Sequence, residues 1–208
     1  MSNILIPVDY SFASHNAYHF GLHLAQKMGL DVLLVHYYSG AINPNEPLQF
    51  SGDGSIHGGH LSRLRQFAYP SGDGTKYALV SPPAGVNLTY VTATSLAPSA
   101  DILKRARSED VALVVMATRS TKRILGSWLG STATTVSEAC ERPVFLIPPE
   151  VTFRQFDRIV VANNRTTVDP LPLWEIAGMA NLYGAKVHFV HVEHPRKDLP
   201  LRFAPWEL

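Results

Sequence analysis

Ile4-Leu5-Ile6-Pro7-Val8-Asp9 opens the chain as a compact apolar run that ends on a carboxylate. A run with so little polar alternation suits a strand covered on both faces, the habit of parallel sheets flanked by helices. Ser11 or Ser14 is placed to cap a helix, and Ala17, Phe20, Gly21, Leu24, Ala25 and Met28 recur at helical spacing. Gly29 suits the helix end, and Val32 to Val35 opens the next strand. The pattern is a β-α-β unit, which takes a right-handed crossover.

The same phrase returns later. Ile159-Val160-Val161-Ala162-Asn163-Asn164, a helical stretch and Phe189-Val190-His191 echo the opening and Leu33-Leu34-Val35-His36. Ile4 and Ile159, Gly29 and Gly184, and His36 and His191 are each 155 positions apart, so nothing is gained or lost across the unit. That argues for a duplicated strand-helix-strand module. The echo replaces Asp9 by Asn164 and Pro7 by Ala162, keeping the strand but dropping the carboxylate, which points to a scaffold role for the second copy. It also stops soon after its second strand. A partner chain that fills the missing edge and a shortened product are both compatible with that.

Between the copies, residues 39–83 carry Pro44, Pro47, Pro70, Pro82 and Pro83 and two Ser-Gly-Asp-Gly stretches, at Ser51 and Ser71. This is loop punctuation, and its length suggests a flap or arm with a short helix over His60 to Phe67. Asn87 to Thr92 reads as a third strand. Ser99 is expected to cap a helix through Ile102, Leu103 and Ala106, with the mixed charges of Lys104, Arg105, Arg107, Glu109 and Asp110 solvated. Val111 to Met116 is a fourth buried strand, Ser131 to Cys140 a helix and Val144 to Ile147 a fifth strand before Pro148-Pro149. The expected organisation is an α/β domain over 1–150, an open, mainly parallel twisted sheet with helices on both faces and an insertion at 39–83, followed by a partial β-α-β repeat over 151–208.

The bulk numbers exclude several classes. Lys plus Arg number 18 against 17 Asp plus Glu, a formal charge of +1, so no global field draws nucleic acid or an anionic bilayer. No apolar run approaches membrane-spanning length, and the start lacks the basic flank and apolar core of a signal peptide. A single cysteine, Cys140, cannot form an internal disulfide. A soluble, cytoplasmic protein is the expectation.

In open parallel sheets the ligand crevice lies beyond the carboxyl ends of the strands. Asp9 and Met116-Ala117-Thr118-Arg119 fall at two such ends, and Gly130-Ser131-Thr132 directly precedes a helix, where free backbone N–H groups and two hydroxyls suit an anion. In the plainer reading Ser131 merely caps its helix and Gly130 merely turns the chain. Asp9 likewise suits a cap on the turn at Ser11 to Ala13.

The order of these pieces resembles the universal stress protein family, whose nucleotide-binding members carry G-x-x-G, nine residues, then G-[S/T]. Here Ala117-Thr118-Arg119-Ser120 is followed by Thr121 to Leu129 and then Gly130-Ser131, with the spacing intact. The opening through Asp9, the Leu33-Leu34-Val35-His36-Tyr37-Tyr38 strand and Arg142-Pro143-Val144-Phe145-Leu146-Ile147-Pro148 are similar to family landmarks. The resemblance covers 1–150 and partially 153–194. It implies a Rossmann-like fold of the adenine nucleotide alpha hydrolase type, and tandem pairs and dimers, often through the strand at Val144 to Ile147.

It also implies roles. Asp9, with Pro7 and Val8 at the same strand end, would meet the ribose or adenine, Tyr37 would offer backbone to adenine and Met116 would pack beside the base. Ala117, Ser120, Gly130, Ser131 and Thr132 would line the phosphates, with Arg119 or Lys122 adding charge. Ala117 and Ser120 stand where nucleotide-binding relatives have glycine, and each adds a side chain where backbone should approach phosphate. The resemblance implies that branches without those glycines fail to bind nucleotide.

Other constellations favour structure over chemistry. His15, His19 and His23 stack on one helix face at a metal-chelating spacing, but with no carboxylate or cysteine in the ladder a solvated stripe opposite the core is the expectation and no metal site is assigned. His57-Gly58-Gly59-His60 reads equally as a flexible linker, and the Ser-Gly-Asp-Gly copies lack the acidic density of a calcium loop. Cys140 suits packing, and Trp128 and Trp174 suit packing or an interface. No G-x-S-x-G elbow, Walker lysine or G-x-G-x-x-G after the first strand is present, so no catalytic residue is assigned and the chain is not expected to be an enzyme.

The functional expectation is a cytoplasmic homodimer that binds an adenine nucleotide, ATP (with Mg2+) or AMP, and acts in stress response through association. The alternative is a nucleotide-free dimeric scaffold with a degenerate loop. A slow ATP hydrolase stands third, since it needs a positioned water and a metal ligand that the sequence does not display.

Overall fold

Ile4, Leu5 and Ile6 have no exposed surface, and the rest of the fold is arranged to cover them. A computed structural model of the chain describes residues 2–39, 56–69, 81–118, 131–162, 170–191 and 206–207. Contacts divide it into two units, 1–153 and 154–208.

The first unit contains β1 (Asn3–Pro7), α1 (Phe12–Met28), β2 (Asp31–Tyr38), α2 (Ile56–Ala68), β3 (Leu88–Thr94), α3 (Pro98–Ala106), β4 (Val111–Ala117), α4 (Ser131–Ala139) and β5 (Val144–Ile147). Its five strands are parallel in the order β3-β2-β1-β4-β5. Strand pairing thus runs outward from β1 through β2 to β3, and the chain then returns to the other side of β1 for β4. The loops after β1 and β4 diverge at that reversal, which is where such sheets open a crevice.

Alternate residues of β1 face different helices. Ile6 points at α1, where a Cβ on Gly21 would collide with its Cδ1, so glycine lets this helix lie close to the sheet. Leu5 belongs to the opposite core with Leu33, Val35, Ile102, Ala106, Met116, Ala133 and Val136, contributed by β1, β2, β4, α3 and α4. Each fully buried Leu or Ile contributes roughly 1.5–3 kcal/mol. The expected layering, helices on both faces of a parallel sheet, is therefore present.

Local signals set the ends of α1. Ser11 Oγ accepts from Ser14 N at 3.1 Å, and Gly29 closes the helix at φ 66°. The expected cap on α3 is different. Pro98, not Ser99, opens that helix, Ala97 occupies the cap position without a side-chain hydrogen bond, and Ser95 Oγ accepts from Ala97 N at 3.0 Å while donating to Asp101 Oδ2. Proline at the first helical position brings a preset φ and no N–H to satisfy, and Ser95 Oγ orders the approach to the helix by accepting from Ala97 N without capping a helical N–H.

Two further differences concern α1 and its cover. The 39–83 stretch contributes α2 as the crossover helix between β2 and β3, with Leu64 and Ala68 fully buried and Tyr18 Oη donating to the Ala68 carbonyl at 3.2 Å. The histidines of α1 are not a solvated stripe. His15 is 7% exposed and packs edge-on against Phe67 at 5.4 Å, while His23 stacks on Phe153 at 4.4 Å between centroids. Cover comes from segments about 50 and 130 residues away in sequence, beyond the reach of a helical periodicity.

The second unit holds β6 (Arg158–Ala162), α5 (Pro170–Tyr183), β7 (Lys186–Val190) and the short β8 (Trp206–Glu207). β6 and β7 are parallel and β8 joins β7 antiparallel. β6 spans the residues obtained by adding 155 to β1, and the pairing Arg158↔Lys186 repeats Asn3↔Asp31 at that offset. Gly184 closes α5 at φ 65°, as Gly29 closes α1. Gln155 Nε2 donates to the Tyr183 carbonyl at 3.2 Å, and Phe156 meets the Tyr183 ring edge-on at 4.7 Å.

Candidate functional site

A cleft of about 550 Å3 opens at the carboxyl ends of β1 and β4. Its walls include Pro7, Val8, Asp9, Tyr37, Met116, Ala117, Ser131 and Thr132, all expected as site residues. Arg119, Ser120 and Gly130, expected in the same site, lie outside the described residues, as do Lys122, Trp128 and Asn164.

Asp9 sits on the rim just past β1. Its Oδ1 accepts from Ser11 N at 3.0 Å, so the carboxylate organises the turn into α1 while remaining exposed. Burial pushes its pKa up, but hydrogen bonds from Ser11 and Ser14 outweigh that and hold it below the usual carboxylate value. At neutral pH it is an anion with acceptor capacity left over, suited to a hydroxyl pair.

The loop carrying Asp9 is pinned from behind. Val8 N donates to the Val35 carbonyl at 2.9 Å, and the Val8 carbonyl lies 2.9 Å from His36 Nδ1. Tyr10 adopts a left-handed φ of 62°, uncommon for a bulky residue. Its ring lies 4.3 Å from that of His36 and 4.2 Å under the Arg63 guanidinium. These neighbours hold a backbone conformation that would otherwise relax.

The other walls are apolar toward β2 and polar toward α4. Tyr37 Oη donates to the Asp101 carbonyl at 3.3 Å, which tethers the ring to α3. Burial, then the nearby Asp101 charge, raises the Tyr37 pKa, so the ring is neutral. Met116 is 5% exposed and Ile102 3%, and both line the cleft with Tyr37 as its apolar side. Thr118 extends β4 toward β5, its N–H donating to the Ile147 carbonyl at 3.0 Å. Ser131 and Thr132 open α4, whose first turn holds no acidic side chain. The N-terminal turn of α4 therefore borders the cleft with the partial positive charge of a helix start.

Sequence reasoning missed part of this lining. Ser14, Pro98, Ile102 and Thr118 reach the cleft, and His36 positions the Asp9 loop. A signal for His36 exists in its repetition as His191, which by itself speaks only to the register of the repeat.

The universal stress protein family model matches residues 1–148. The chain belongs to that family. No curated protein sequence matches it. Among solved structures it is similar to a universal stress protein from Archaeoglobus fulgidus DSM 4304, at 18% identity and a TM-score of 0.61, covering 94% of this chain and 68% of that one. It is also similar to UspA from Lactobacillus plantarum, at 21% identity and TM-score 0.47, covering 70% of this chain and 97% of that one. A third is a universal stress protein from Archaeoglobus fulgidus in complex with dAMP, at 19% identity and TM-score 0.44, with coverages of 71% and 98%. At 18% identity and a TM-score above 0.5, the first of these likenesses speaks for the fold alone. No helix among the described residues of this universal stress protein is long and apolar enough to cross a membrane.

Proposed function

We propose that this universal stress protein binds an adenine nucleotide in the β1–β4 cleft and acts through association, not turnover. The observation that carries the reading is the convergence on one cleft of an ionised Asp9, an apolar patch and the N-terminal turn of α4. The base would lie against Tyr37, Ile102 and Met116, the ribose hydroxyls would donate to Asp9, and the phosphates would approach Ser131, Thr132 and Thr118. That a family member is described in complex with dAMP makes this ligand class the first to test.

Among the described lining residues Asp9 is the single carboxylate, and it is already engaged with Ser11. Mg2+ would therefore arrive with ATP, held by phosphate oxygens, with the hydroxyls of Ser131 and Thr132 available beside it. The same scarcity of carboxylates disfavours hydrolysis, which needs an oriented water. Association as a homodimer in the cytoplasm and a role in stress response complete the reading. We also propose that the 154–208 unit is a second, partial family repeat, on the strength of the 155-residue offset kept in strand register and helix end.

The second reading, a nucleotide-free scaffold, draws on Ala117, whose methyl group occupies the β4 end of the cleft where binding relatives have glycine. Calorimetric titration with ATP, ADP and AMP, with mass analysis of what the purified protein releases on denaturation, separates the two. Asp9→Ala is expected to weaken nucleotide binding about tenfold, roughly 1.4 kcal/mol. Asp9→Asn keeps the acceptor for Ser11 and isolates the charge. No heat with any of the three nucleotides favours the scaffold, and phosphate released steadily over hours would restore the hydrolase.

A further inference from the structure

Away from the cleft, α1 brings two imidazoles together. His19 Nε2 and His23 Nε2 lie 3.0 Å apart, with ring centroids 4.7 Å apart and planes inclined by 58°. Residues four apart share a helix face, and here the two Nε2 atoms form a hydrogen bond, one N–H donating to the other ring's lone pair, a proton that a metal ion would displace. The outer face of His23 stacks on Phe153 at 4.4 Å and 11°, which restrains the ring in that orientation.

We propose that His19 and His23 form a bidentate site for a borderline divalent transition metal, Cu2+ first and Ni2+ next. Imidazole nitrogens bind such ions at about 2.0–2.1 Å, so two nitrogens 3.0 Å apart subtend about 95° at the metal. That is the angle between neighbouring positions of a square-planar or octahedral ion, whereas a tetrahedral ion needs the nitrogens about 3.3 Å apart. Intrinsic affinity for nitrogen ligands places Cu2+ above Ni2+ and Zn2+ at such a pair. Burial, and for His19 also the neighbouring His23 and His15, lowers both pKa values and leaves neutral rings at pH 7, the form that ligates. Among the described residues no group of three or more His, Cys, Asp or Glu is arranged for a metal, so water fills the remaining positions and the ion stays exchangeable. The site uses no residue of the nucleotide cleft and stands or falls independently of it.

The test uses the full chain, freed of metal with chelator and titrated with CuCl2, NiCl2 and ZnCl2. Calorimetry gives stoichiometry, and electron paramagnetic resonance of the Cu2+ form counts coordinated nitrogens. One Cu2+ equivalent with a two-imidazole signature is expected. His19→Gln or His23→Gln should each weaken that equivalent on the order of a hundredfold, because the second ligand acts at high effective concentration. His60→Gln should leave it unchanged, and circular dichroism of each variant establishes that α1 still forms. An equivalent that both α1 variants retain at full affinity, a spectrum without two nitrogens, or loss of binding in His60→Gln in place of the α1 variants overturns the assignment.

Discussion

β1-α1-β2 and β6-α5-β7 repeat one another in strand register and glycine closure, yet they differ in what covers their first strand. Leu5 in β1 has no exposed surface, whereas Val160, its counterpart 155 positions later, is 64% exposed. β1 gains β4 on its free side; among the described residues β6 has β7 alone. The comparison teaches that the two β-α-β units keep the same parallel register and helix closure although their first strands are covered differently. Burial of the first strand's second face is a separate matter: α3 and α4 cover Leu5 there, whereas among the described residues the second unit has α5 alone.

The largest effect should separate those two positions directly. Leu5→Ala is expected to cost about 2–5 kcal/mol and Val160→Ala under about 0.5 kcal/mol, read as the shift of the urea midpoint for each unit. Equal losses would break the comparison, since they would mean Val160 is covered in solution.

A second contrast lies in the helices. His15, His19 and His23 correspond to Pro170, Trp174 and Gly178, none of which titrates. Burial lowers all three histidine pKa values below 6.5, so the unfolded chain takes up protons first as the pH drops. Stability from these groups is present above pH 6.5 and lost as the pH falls through the folded values. Melting in chelator from about pH 7.5 to about pH 5 should show a decline in the first unit that His15→Gln, His19→Gln and His23→Gln together flatten. A decline of the same slope in the triple variant would place the acid sensitivity elsewhere.

The smallest expected effect tests what the two halves share. Gly29 and Gly184 both sit at left-handed φ with open space where a methyl group would project, so alanine at either meets backbone strain and nothing else. Each substitution should cost about 1 kcal/mol, and a cost at one position only would separate the two helix ends.

Where the sequence could be read, the determinants were local. The ends of α1 follow from Ser11 and Gly29, and β5 falls on Val144 to Ile147 as expected because flanking prolines bound it. Asp9, Tyr37, Met116, Ser131 and Thr132 meet in one cleft because strand order, once β4 is placed beside β1, leaves their loops nowhere else to go. What escaped was long-range. Nothing near His15 or His23 announces that Phe67 and Phe153 will cover them, and the burial of Leu64 in α2 is invisible amid proline and glycine. Ser99 does not cap the helix because Pro98 opens it one residue earlier, leaving Ala97 at the cap position.

The strand order also sets a timetable. β1 meets β2 after fewer than thirty positions, but its other neighbour begins with Val111, 108 positions beyond Asn3. At about 5–20 residues per second a ribosome needs roughly 5–20 s to supply it. Throughout that interval the nascent chain keeps one edge of its apolar first strand unpaired, an edge that β4 later closes.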